Sequence, residues 1–139
     1  MSRLIPCLLL LAQAVSAPAG ADAACPLPGQ KEMLIAKLYF GQDTAPSGGR
    51  PLTPDEWRSF LADTVTPRFP EGFTVYDASG QWRNPKTRAI AREETKVIEV
   101  AAENTAAFRQ RIEEVAARYQ AQFRQESVGV VTRVGCGRF

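Results

Sequence analysis

The chain has 139 residues, 17 basic and 15 acidic, with a net charge of +2 and no histidine. So slight a positive excess, scattered among acids, leaves no electrostatic footprint for nucleic acid. The missing imidazole excludes Ser-His and Cys-His nucleophile pairs, histidine metal ligands and the commonest general base.

From the first residue, Arg3 and the run Leu4 to Val15, interrupted only by Pro6 and Gln13, read as a signal peptide. The run is short of the about 20 apolar residues that span a bilayer. Ala21-Asp22-Ala23 fits a small-x-small cleavage rule before Ala24, whereas a cut after Ala17 would place Pro18 just past the scissile bond. The stretch Pro18 to Asp22 breaks the competing reading, a buried N-terminal helix. A lipoprotein reading would acylate Cys25, but Asp22 stands where an aliphatic residue is wanted. The expectation is a cleaved leader at 1–23, a single domain at 24–139, a periplasmic or secreted location and no stable membrane anchor.

Cys7 leaves with the leader, and Cys25 and Cys136 remain. In an oxidising compartment such a pair is expected as a disulfide closing a loop of about 110 residues. No CxxC motif supports thioredoxin-type redox chemistry, and two lone cysteines without histidine do not make a metal site. Neither metal nor cofactor is expected.

The first strand is predicted at Met33 to Gly41, with Leu34, Ala36, Leu38 and Phe40 on one face and Ile35, Lys37 and Tyr39 on the other. A loop from Gln42 to Leu52 follows, marked by Pro46, Gly48, Gly49 and Pro51. Thr53-Pro54-Asp55-Glu56 is a helix start with a capping box, and Trp57, Phe60, Leu61 and Val65 give that helix its apolar stripe until Pro67 ends it. Phe73 to Tyr76 reads as a second strand that bulges or stops at Asp77-Ala78-Ser79-Gly80 before resuming at Gln81 and Trp82. After a turn at Asn84-Pro85-Lys86, a third strand is placed around Thr95 to Ala101. Thr105 caps a second helix with Phe108, Ile112, Val115, Tyr119 and Phe123 on its buried stripe. A fourth strand runs from Ser127 to Val134, with Cys136 just beyond it.

This order predicts an α+β fold of the ferredoxin-like split βαβ kind (βαββαβ), a four-stranded antiparallel sheet with both helices on one face. In that topology the first and third strands are central and the fourth lies beside the first. Cys25 and Cys136 then meet in space for a reason unrelated to cysteine counting.

Several motifs resemble the signature of a bacterial exported family, domain-of-unknown-function family 3574. They are Leu38-Tyr39-Phe40-Gly41, Glu56-Trp57, Thr66-Pro67-Arg68-Phe69-Pro70, Gly80-Gln81-Trp82-Arg83, Arg92-Glu93 and Gln125-Glu126-Ser127-Val128. The resemblance covers nearly the whole chain after the leader. It implies a small secreted α+β domain and brings no activity, cofactor or catalytic residue with it.

Ser47-Gly48-Gly49-Arg50 lacks the lysine and hydroxyl of a phosphate loop and reads as a turn. Strand alternation offers a better candidate. Lys37 and Tyr39 stand on the sheet face away from the helices, and the same parity puts Val97, Glu99 and Ala101 there. Lys37 and Glu99 form an expected cross-strand pair bordered by Arg133 and Tyr76, either as a polar cluster in a half-apolar pocket or as an ordinary ion pair on a wet face. A second candidate set, Arg68, Asp77, Gln81, Trp82, Arg92 and Glu93, lies in loops and strand ends, with Trp82 as a stacking surface and the charges able to clamp loops together.

The candidate binding residues are thus Lys37, Tyr39, Glu99, Arg133, Arg68, Trp82 and Arg92, and no catalytic residue is assigned. The leading expectation is a non-catalytic binding or interaction module whose open sheet face packs against a second copy, as a homodimer, or against another partner, with its ligand unidentified. The alternative is a small-molecule enzyme built as a dimeric α/β barrel with a pocket on that face.

Overall fold

The computed structural model describes residues 25–44 and 49–139. The leader with its cleavage site, and the Ser47-Gly48 half of the glycine turn, lie outside the described residues. The first strand, β1 (Lys31–Gly41), buries Leu34, Ala36, Leu38 and Phe40 on one side. This follows from the pleat, which sends every second side chain to the same face.

Helix α1 (Pro54–Phe60) begins with the predicted capping box. The Thr53 hydroxyl accepts from the Glu56 N–H at 3.2 Å, and the Glu56 carboxylate accepts from the Thr53 N–H at 2.9 Å. Arg50 grips the same carboxylate with two hydrogen bonds of 2.5 and 2.7 Å. The guanidinium above all, then the Thr53 N–H, holds the Glu56 carboxyl well below its ordinary 4.5, at about 2. A depressed folded-state value means that the charged form supports the fold above pH 4.5 and that this support is lost as the pH falls toward 2. The stability gap between the parent and Glu56→Gln is therefore expected in full at neutral pH and should close across that interval. Urea unfolding at a series of pH values measures it, and a gap that stays constant would disprove the assignment.

The helix predicted as one element widens at Leu61–Val65 into a π-helical turn, where the Thr66 N–H reaches back five residues to the Leu61 carbonyl at 2.8 Å. Pro67 follows directly and has no N–H with which to extend a regular helix. Trp57, Phe60 and Val65 remain buried through the change of pitch.

Strand β2 (Thr74–Arg83) is continuous, against the expectation of a bulge or stop at Asp77 to Gly80. Its residues pair one to one with β3 (Ile90–Ala102) from Thr74↔Glu99 to Arg83↔Ile90, so cross-strand pairing carries the turn-prone residues through. β3 is accordingly longer than predicted. Between them the Asn84 carboxamide accepts from the N–H groups of Lys86 and Thr87, and Arg88 takes a left-handed φ of 62°. Helix α2 (Ala106–Phe123) is capped by Thr105 and buries the five predicted residues together with Ala116. β4 (Gly129–Gly137) extends past its predicted end and contains Cys136.

The sheet order is β2-β3-β1-β4, with every neighbouring pair antiparallel. Both helices pack against one face. At the centre of the core the fully buried Phe40 ring meets Trp57, Phe60 and Tyr119 at centroid distances of 5.6, 5.9 and 4.7 Å. Cys25 and Cys136, 111 positions apart, have Cα atoms 5.6 Å from each other and sulfurs placed for a disulfide. Among the described residues no helix is long and apolar enough to cross a membrane.

Candidate functional site on the open sheet face

The side of the sheet away from the helices is built by strand alternation alone. From β1 it receives Met33, Ile35, Lys37 and Tyr39. Their partners on β3 are Ala101, Glu99 and Val97, opposite Ile35, Lys37 and Tyr39. Tyr76 stands opposite Val97 on β2, and Val131 and Arg133 stand opposite Lys37 and Ile35 on β4. Lys37, Tyr39, Tyr76, Glu99 and Arg133 therefore share one surface, as their parity requires.

At its centre the Lys37 ammonium lies 3.2 Å from the Glu99 carboxylate and 5.6 Å from the centroid of the Tyr76 ring. Hydrogen bonding to Tyr76, then to Glu99, holds the Lys37 amine above its ordinary value. Both partners are about one-third exposed, so the pair is half-screened by solvent. Val97 is fully buried here although no helix covers this side; its cross-strand neighbours are the two tyrosines, which leave it no free surface. Around this small apolar nucleus Tyr39, Tyr76 and Val131 stay 37, 38 and 57% exposed.

The second candidate set comes together only in part: Gln81, Arg92 and Glu93 line a small pocket where β2 pairs with β3, and the other members lie apart from it. Arg68 lies in the helical layer, where its guanidinium bonds the Glu114 carboxylate at 3.0 Å and the Thr64 carbonyl at 2.8 Å, tying the end of the first helix to α2. Trp82 is half-exposed at the far end of β2, six residues from Tyr76, or about 20 Å along an extended strand. Arg92 pairs with Gln81, and its parity directs it to the opposite face from Glu99. Asp77 pairs with the Lys96 ammonium on the helix side.

Two features were not read from the sequence. A cleft of about 690 Å³ opens on the helix side, where Gln42, Thr53, Trp57, Asp77, Glu94 and Lys96 line it. The only signal for it was the shared parity of Asp77, Glu94 and Lys96, which appears once β2 and β3 are known to be long. The second is a polar knot at the end of β1. The buried Tyr119 hydroxyl donates to the Gly41 carbonyl at 2.6 Å and accepts from the Gln42 amide at 3.3 Å. The Glu93 carboxylate occupies the place where any Cβ at position 41 would stand. Burial first, then the charge of Asp43, raises the Glu93 carboxyl, and burial raises the Tyr119 phenol. Among the described residues no group of three or more Cys, Asp or Glu side chains is placed to hold a metal ion.

A family model described as "Protein of unknown function (DUF3574)" matches residues 35–139, and the chain belongs to that family. No curated protein matches it. Two solved structures share its fold. A phage SAM lyase in complex with S-methyl-5'-thioadenosine is 16% identical, with a TM-score of 0.55 over 77% of this chain and 90% of the other. A phage SAM lyase in the apo state is 16% identical, with a TM-score of 0.53 over 76% of this chain and 89% of the other.

Proposed function

We propose that this DUF3574 protein is a binding module without chemistry of its own, exported after loss of residues 1–23, whose open sheet face packs against a second copy. The observation that carries the reading is a sheet face with apolar and aromatic side chains still exposed around a charge pair that is already neutralised. A lone charge would be expensive to bury at an interface, whereas Lys37 and Glu99 bring their partners with them. Tyr39 and Tyr76 supply rigid contact area that loses little entropy on binding. A face meeting its own copy across a two-fold axis is the commonest form of homo-oligomer. The cysteine pair, placed for a disulfide, agrees with export to an oxidising compartment.

A second reading puts small-molecule chemistry in the pocket that two facing sheets would enclose. It is favoured by the Lys37, Glu99 and Tyr76 cluster and by the fold shared with a lyase solved with S-methyl-5'-thioadenosine, which is analogy at the level of fold. One experiment separates the two. Sedimentation should find the parent at twice the mass of Tyr76→Arg, with unchanged circular dichroism, and S-methyl-5'-thioadenosine should give no saturable heat with either. A parent no heavier than Tyr76→Arg at high concentration overturns the interaction module. Saturable heat that disappears in Lys37→Ala would establish the second reading in its place.

A further inference from the structure

Among the described residues the sheet has two edge strands, β2 and β4, and they are not equally protected. β2 itself carries the Asp77 carboxylate, paired with Lys96 of β3, and the Arg83 guanidinium, the kind of charge that discourages pairing with another chain. β4 has no proline, lysine or carboxylate anywhere in Gly129–Gly137. Its register with β1 runs one to one from Gly137 to Gly129 without a bulge. Val130, Val131 and Val134 expose 37, 57 and 56% of their surface along it. Its outward N–H and C=O groups form a straight, apolar-flanked template.

We infer that the free edge of β4 pairs antiparallel with β4 of a second copy, on a two-fold axis through Thr132 and perpendicular to the sheet. The second copy is the occupant because this strand is complementary to itself in that register. Thr132 meets Thr132, a pairing that cross-strand hydroxyls favour. On the helix side Val130 meets Val134, twice by symmetry. On the open side Arg133 meets Val131, so neither arginine faces a like charge. Shifting the axis to Arg133 would oppose two guanidinium groups, and shifting it to Val131 would set Val130 against Thr132. Odd-numbered residues stay with odd and even with even, as the pleat demands. The product is a continuous eight-stranded sheet with both open faces on one side, so the edge contact is independent of what covers those faces.

Cysteine cross-linking reads the register directly. In the Thr132-centred pair, Thr132→Cys places two thiols directly opposite, with Cβ atoms about 4.5–5.5 Å apart, whereas Val131→Cys leaves them on a diagonal of about 7–8 Å, beyond a disulfide's reach. Mild oxidation should convert Thr132→Cys to a dimer on a non-reducing gel and leave Val131→Cys a monomer. Val130→Lys added to Thr132→Cys should abolish the cross-link, and Val134→Glu should restore it by placing opposite charges across the pair. The cross-link should persist in a Tyr76→Arg background, which separates this contact from packing of the open face. Equal cross-linking of both cysteine variants, cross-linking of Val131→Cys alone, or none from either overturns the inference. So does a monomer whose edge instead takes up an extended peptide from another protein.

Discussion

Reducing the bridge between Cys25 and Cys136 is expected to lower the unfolding midpoint by about 15–20 °C. The link spans 111 positions. Closing a loop of that length removes chain entropy from the unfolded ensemble that corresponds to about 4 to 5 kcal/mol. A domain of this size unfolds with an entropy of about 0.25 kcal/mol per kelvin, and that converts the energy into the shift. Cys136→Ser should reproduce it, since the serine fits the same strand position and only the covalent link is lost. Calorimetry with and without reductant measures both. The exported, non-reduced chain should begin at Ala24 and be lighter than its reduced form by the two thiol hydrogens. An unchanged midpoint together with two free thiols would remove the bridge from the account of this fold.

Phe40→Ala is the substitution expected to cost most within the core, about 3–5 kcal/mol. The ring is fully buried and touches three other rings, from α1 and α2, so its removal opens a cavity that rigid aromatic neighbours cannot collapse into. The adjacent residue is the control. Tyr39 points to the opposite face and is 37% exposed, so Tyr39→Ala should cost clearly less in the same urea titration. Equal losses from the two would mean that β1 does not sit in the register described.

Periodicity made the central strands legible, because Leu34 to Phe40 alternate without interruption and Lys37 and Glu99 fall at the parity of the open face. The Lys37 and Glu99 pair followed from that alternation and from the topology together. The lengths of β2 and β3 did not follow. Asp77, Ser79 and Gly80 favour turns locally, and only the unbroken ladder to β3 holds them extended. The helix-side cleft depends on those lengths and was hidden with them. Arg68 and Arg92 look alike in sequence as charges beside turns, yet one locks into the helical layer and the other lies on the strand face opposite Glu99.

By itself the sequence determined the order of elements, the buried face of each and the likeness to its family, because these are set by local spacing of apolar, capping and turn residues. Tertiary structure decided how far β2, β3 and β4 extend, where the first helix widens, and which charged side chains meet. Those outcomes depend on pairing between segments tens of residues apart, and hydrogen bonds across the sheet outweigh the weak local preferences of the residues they join.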